Sequence, residues 1–212
     1  MTLTGDIEAE RAALAESLSA AGASAHAGCG TWTARDLAAH LVAEERTAAV
    51  STFIARSLVV RGIAVPAPPR LVDFAIRREH RCSFTELIAR LRRPVPRLLL
   101  RPRVAPLTLF EYWTHHDDLI GAGAHAVPPT LAQAIPPLLR YQLTKLPAGV
   151  RVMVDTGDGG PKSSVGPESG PTVTVRGTPA NMVRWLAGRR ADVAFTGSDG
   201  HVQALRSFAG RV

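Results

Sequence analysis

Glu111-Tyr112-Trp113-Thr114-His115-His116-Asp117-Asp118 is the stretch that decides how this chain folds. It lies in a helical pattern whose inward line runs Leu107, Glu111, His115, Leu119, so a carboxylate and an imidazole point from one face toward the interior. Burying an ionised carboxylate beside a ring nitrogen costs free energy unless something satisfies both, and a divalent cation does so directly. A third candidate ligand, His40, sits on an earlier helical run in the line Leu37, His40, Leu41, Glu44, Ala48. Together they form a two-histidine, one-carboxylate set. Such a set leaves coordination positions for water or substrate, whereas structural zinc sites usually close with four protein ligands. Zinc is the first choice for these donors, and nickel, iron and manganese are compatible with them.

The residues around this set carry weaker signals. His116 lies about 100° around the helix from His115 and is expected to face another surface or a neighbouring helix. Asp118 and Glu44 fall near the ligand lines; they read either as partners that fix a histidine tautomer or as surface ion pairs. Asp117 is expected to be solvated. His80, His125 and His201 show no metal spacing and read as ordinary polar residues. Trp32 and Trp113 are expected either to pack or to wall a pocket. Cys29 and Cys82 form no CxxC motif and read as small apolar fillers.

Working outward, helical spacing is expected from Asp6 to Ala25, ended by the Gly28, Gly30 cluster. Thr33 with Asp36 signals the start of a long helix through Leu58, and Ser83 with Glu86 opens another through Arg92. Between them come a loop at Pro66 to Pro69 and a helix from Leu71 to Arg81. Pro94, Pro96, Pro102 and Pro106 mark an irregular connection before the helix of Glu111, which starts at either Pro106 or Thr108. A further helix from Thr130 to Lys145 is interrupted by Pro136 and Pro137 and has an alternative start after them.

From Gly149 the texture changes. Val150 to Val154 and Thr172 to Arg176 alternate apolar and polar residues and are separated by a Gly-, Ser- and Pro-rich turn from Gly157 to Pro171, in which Gly157 to Gly160 reads as a hairpin turn. A short helix from Thr178 to Leu186, a strand at Val193 to Thr196 and a helix from His201 to Phe208 complete the pattern. The expected architecture is α+β, with a helical bundle over residues 1–146 and a small mixed α/β domain over residues 147–212.

Composition bounds the function. Hydrophobic residues make up 46% and aromatics 5%, so a soluble core of Leu, Val and Ala is expected. The net charge is +7, but the arginines are scattered and lack the interleaved aromatics of a single-strand binder or the tight basic helix of a duplex reader, which argues against nucleic acid. The N-terminus carries acidic residues and no long apolar run, and the apolar stretches are broken by arginines and prolines. A cytoplasmic protein without a membrane partner is expected. There is no Gly-x-Ser-x-Gly and no Gly-Lys-Ser/Thr phosphate loop, so neither a serine hydrolase nor a nucleotide-binding loop is signalled.

Two stretches resemble the mycothiol-dependent maleylpyruvate isomerase family: Trp32-Thr33-Ala34-Arg35-Asp36-Leu37-Ala38-Ala39-His40-Leu41, and Glu111 to Asp118. The stretch Gly177 to Arg189 is similar to the small C-terminal domain of actinobacterial members. The His-His-Asp-Asp run resembles an uncharacterised metal-binding branch of that family more than the isomerase itself. The resemblance implies a DinB-like four-helix bundle, a divalent metal held by His40, Glu111 and His115, and mycothiol as a thiol cofactor. It implies a small electrophile as substrate: the metal-activated thiol adds to it, then leaves after bond rotation in an isomerase or stays attached in a transferase. A non-catalytic metal-binding module and a metal-assisted hydrolase are the alternatives.

Overall fold

The computed structural model describes residues 2–46, 76–121, 123–143, 149–157 and 162–206, with backbone alone at 141–143. The chain divides into two compact units, Met1–Ala126 and Val127–Val212.

In the first unit, helix α1 spans Leu3–Ala21, with Thr2 accepting a hydrogen bond from the Gly5 amide at its start. Ile7, Leu14 and Leu18 recur at helical spacing and are at most 1% exposed. Helix α2, Ala34–Glu45, opens with the expected capping box: Thr33 accepts from the Asp36 amide while Asp36 accepts from the Thr33 amide. Helix α3, Phe84–Leu91, opens with the equivalent pair Ser83 and Glu86. Helix α4, Ala105–Ile120, carries the Glu111 to Asp118 stretch. Helix α1 packs against α4, α3 and α2, and α2 packs against α3.

Two sequence expectations change here. Helix α2 stops at Glu45 instead of running to Leu58: Arg46 turns extended and its guanidinium reaches Glu79 at 2.6 Å. Residues 47–58, the Pro66 to Pro69 loop and the helix expected from Leu71 lie outside the described residues, except for a helical turn over 76–79. Of the two starts offered for α4, the proline start is the one taken. Pro106 sits in the first turn, where its missing amide costs nothing, and the Thr108 hydroxyl donates to the carbonyls of Leu99 and Val104 instead of capping.

The second unit begins earlier than the composition shift suggests. Helices α5, Pro129–Gln133, and α6, Ile135–Leu143, both pack against the later segment Pro179–Leu186, so the division falls after Ala126 and not near residue 147. Pro136 and Pro137 occupy the first turn of α6, which separates it from α5 in place of one continuous helix. Strands β1 (Arg151–Asp155), β2 (Ser163–Val165), β3 (Thr172–Arg176) and β4 (Ala194–Thr196) form one sheet in the order β2-β1-β3-β4. A strand not expected within the Gly157 to Pro171 stretch, β2, pairs antiparallel with β1, and β3 runs parallel to β1; of the turn expected at Gly157 to Gly160, residues 158–160 lie outside the described residues. A parallel pair cannot be joined by a tight turn, and β2 provides the longer connection.

Val152, Val154, Val173 and Val175 alternate onto the buried face. The segment packed by α5 and α6 is helix α7, Pro179–Leu186; capped by Thr178, it buries Met182, Val183, Trp185 and Leu186. Helix α8, Asp199–Arg206, ends the described chain. Among the described residues no helix is long and apolar enough to cross a membrane.

Candidate metal centre

A short hydrogen-bonded turn joins α1 to α2 and frames the site. The Ala27 amide donates to the Trp32 carbonyl at 2.9 Å and the Trp32 amide to the Cys29 carbonyl at 3.0 Å. Gly28 has a φ of +75°, and a Cβ there would overlap the backbone carbonyl of Asp118, so the turn lies directly on the end of α4. Only glycine meets both demands. The turn delivers Cys29 and Trp32 to the neighbourhood of His40 and His115.

His40, Glu111 and His115 come together, each offering a ligand atom within 4.8 Å of the others. The His115 Nε2 to Glu111 Oε2 distance is 3.7 Å, and the two imidazoles meet edge to face with centroids 5.2 Å apart. A gap of this size is too long for a hydrogen bond. It is close to the roughly 3.4 Å that separates two ligands held about 2.1 Å from one tetrahedral ion. The side chains of His40 and His115 are 13% and 8% exposed and that of Glu111 is 23% exposed, so the open side of the cluster is the carboxylate side. Chemistry of the donor set and spacing both fit a divalent cation.

Further groups surround these three. Asp118 Oδ2 lies 3.7 Å from His115 Nδ1, the ring nitrogen opposite the one facing Glu111, and Cys29 Sγ lies 3.8 Å from the same Nδ1. Cys29, His115 and Asp118 form a second convergent group on the far side of that ring, so Cys29 is more than an apolar filler. Glu44 Oε1 stands 3.6 Å from His40 Nε2, and the Trp32 indole packs on His40 with centroids 5.0 Å apart. Sequence spacing had no means of placing Cys29, because a turn and not a helix carries it.

Beside Glu111 a small recess is lined by Leu41, Glu44, Glu45, Leu99, Thr108 and Tyr112. Its floor is tied down. Arg11 donates to both oxygens of Glu45 at 2.6 Å, and the Tyr112 hydroxyl donates to Glu45 Oε1 at 2.7 Å. Arg11 also donates to the backbone carbonyls of Arg90 and Arg93. Burial, reinforced by the charge of Glu45, pushes the Tyr112 phenol well above its ordinary range, so it remains a donor at neutral pH. Burial works against the charge of Arg11, but the bonds and field of Glu45 outweigh it and raise its pKa.

On another face of α4, His116 Nδ1 lies 2.7 Å from Glu10 Oε1, and His125 Nε2 lies 2.8 Å from the same oxygen. His116 therefore faces a neighbouring helix, α1, as its angular offset suggests. His125 departs from its reading as an ordinary polar residue: the segment after α4 folds back and stacks it on Trp113, centroids 5.6 Å apart. Trp113 is fully buried and packed, its indole donating to the Ala126 carbonyl at 3.1 Å. Asp117, expected to be solvated, is 4% exposed, because α4 is covered on nearly every side. His80 lies 3.2 Å from Asp36 on the capping box, and His201 bonds Ser198; neither joins the cluster.

Comparison with solved structures shows a shared fold. The chain is similar to the crystal structure of the mycothiol-dependent maleylpyruvate isomerase, with a TM-score of 0.62, 19% identity and 94% of each chain covered. It is similar to a variant of that isomerase with one histidine replaced by alanine, with a TM-score of 0.61, 18% identity and the same coverage. No protein-family model matches the chain, and no curated protein matches it. The likeness is a distant structural one, a fold of helices and a four-stranded mixed sheet shared with a thiol-dependent isomerase.

Proposed function

We propose that this protein holds a divalent metal, zinc by preference, through His40, Glu111 and His115 on a DinB-like four-helix bundle. With mycothiol as the thiol it acts as an isomerase or S-transferase on a small electrophile. The observation that carries this reading is the convergence of the three donors at 4.8 Å or less, with an ion-sized gap between imidazole and carboxylate. Its support beyond geometry is a fold shared with a mycothiol-dependent enzyme. When bound, the ion and the thiol together supply a thiolate nucleophile at neutral pH.

The chain's own residues prepare that chemistry. Glu111 contributes one negative charge to the donor set and the two imidazoles contribute neutral nitrogens. Cys29 Sγ and the Asp118 carboxylate flank the second nitrogen of His115, and Trp32 limits rotation of His40. The recess next to Glu111 offers Leu41 and Leu99 as apolar walls and a protonated Tyr112 near the reacting region.

Metal analysis of the wild type beside His40→Ala, Glu111→Ala and His115→Ala tests the ligand set. One equivalent in the wild type and its loss in each variant are expected; stoichiometric metal in all three variants overturns the assignment. Titrating cobalt-substituted protein with mycothiol tests the thiol. A thiolate-to-cobalt charge-transfer band is expected, and its absence leaves a metal-binding module without the proposed chemistry.

A further inference from the structure

Ser17, His116 and Glu10 form a continuous hydrogen-bonded line across α1 and α4. Ser17 Oγ lies 2.8 Å from His116 Nε2, and His116 Nδ1 lies 2.7 Å from Glu10 Oε1. A carboxylate only accepts, so Nδ1 carries the proton of the neutral ring and Nε2 presents its lone pair to the serine hydroxyl. Ser17 is therefore the donor. The direction of every bond in the line follows from Glu10.

We propose that Ser17 is an activated nucleophile that takes an acyl group from small activated carboxylic esters, with His116 as proton acceptor and Glu10 as the residue that positions it. The burial order fits: Glu10 and His116 are each 5% exposed, while Ser17 is half-buried and reachable from solvent. Along α1, Ser17 is flanked one turn away by the small, exposed residues Ala13 and Ala20.

His125 donates to the same oxygen of Glu10, and its stacking on Trp113 keeps the acid from swinging away. Contacts of 2.7 and 2.8 Å are direct hydrogen bonds, shorter than the 3.7 Å gap between His115 and Glu111. This arrangement is independent of the metal centre.

In the step, Ser17 Oγ forms a bond to the ester carbonyl carbon and its proton moves to His116 Nε2. Collapse of the adduct breaks the ester C–O bond, and the proton passes from Nε2 to the departing aryloxide, giving a phenol and O-acyl-Ser17. Water then cleaves the acyl group as a carboxylic acid and restores the hydroxyl. No other reactant is needed.

A fluorophosphonate probe applied to the full-length protein tests the proposal, since bond formation from Oγ to phosphorus expels fluoride and leaves a stable adduct. Peptide mass spectrometry is expected to place the label on Ser17, with none in Ser17→Ala. His116→Asn is expected to lower the labelling rate constant about 100-fold, as loss of a general base does. Glu10→Gln is expected to lower it about 10-fold while leaving the half-saturating probe concentration unchanged, which a mere loss of structure would not do. A folded wild type with no Ser17 adduct overturns the proposal, as do His116→Asn and Glu10→Gln proteins labelled at the wild-type rate. If circular dichroism shows His116→Asn unfolded, the wild type, Ser17→Ala and Glu10→Gln decide it.

Discussion

His40 on α2 and His115 on α4 stand edge to face, ring centroids 5.2 Å apart and planes at 74°. Two helices distant in sequence thus present imidazoles to one point, and Glu111 adds its carboxylate from one turn before His115. A ligand bound only by the folded chain stabilises it by mass action, by about 2.7 kcal/mol at a hundredfold excess over Kd. Calorimetry with added zinc is expected to show the corresponding rise in Tm for the wild type. His115→Ala should lose that increment, and an equal rise in the variant would remove these donors from the account.

Gly28 is the steric hinge of the site. An alanine there combines a left-handed φ of +75° with overlap on the Asp118 carbonyl. Gly30, at +53°, has no atom within 4 Å of the added Cβ and bears the cost of the dihedral alone. Chemical denaturation should find Gly30→Ala costing about 1 kcal/mol and Gly28→Ala costing about 3 kcal/mol, since backbone strain adds to a clash that neither segment can relieve by a rotamer change. Equal losses would mean that the turn does not rest on α4.

The start of α2 gives the fold an acid sensitivity. Burial opposes ionisation of Asp36, but the hydrogen bonds from the Thr33 hydroxyl and amide outweigh it, with help from the charges of His80 and Arg35, so its pKa is lowered. A carboxylate depressed in the fold contributes stability that is present above the unfolded value of about 3.9 and disappears as pH falls through the lower folded value. Thr33→Ala should cost about 1 kcal/mol at neutral pH. In Asp36→Asn the acid limb of the stability profile below about pH 4 should flatten; an unchanged limb would assign the acid sensitivity to other carboxylates.

The features legible in the sequence are those that repeat locally. The four-residue spacing of Glu111 and His115, the capping boxes at Thr33 and Ser83, and the alternation of Val152 with Val154 all depend on neighbours a turn or a pleat away. His40 is legible because its own helical line faces inward. The remainder depends on contacts between segments far apart in the chain. Nothing near His125 signals that it will meet Glu10, and nothing near Cys29 signals His115. The register of β3 is hidden for the same reason: alternation reports a buried face, not which neighbour a strand takes or in which direction. The prolines of α6 mislead because their effect reverses between the interior of a helix and its first turn.

Arg11, Glu45 and Tyr112 carry a final prediction, at alkaline pH. The Arg11 and Glu45 side chains are 4% and 9% exposed, so removing the acid leaves a buried guanidinium without its main partner. Glu45→Gln should cost about 3 kcal/mol, the scale expected when a buried pair loses one member, whereas a surface pair would lose less than about 1. The raised pKa of Tyr112 adds a pH signature with a definite sign. Below about pH 10 the phenol is protonated in both folded and unfolded chains and contributes no pH dependence. Above it the unfolded chain releases this proton while the folded chain retains it, so stability falls as pH rises. Tyr112→Phe keeps the ring and removes the titration. Denaturation midpoints followed from about pH 8 to about pH 11 should therefore decline more gently in the variant than in the wild type, and parallel declines would show that Tyr112 ionises normally in the fold.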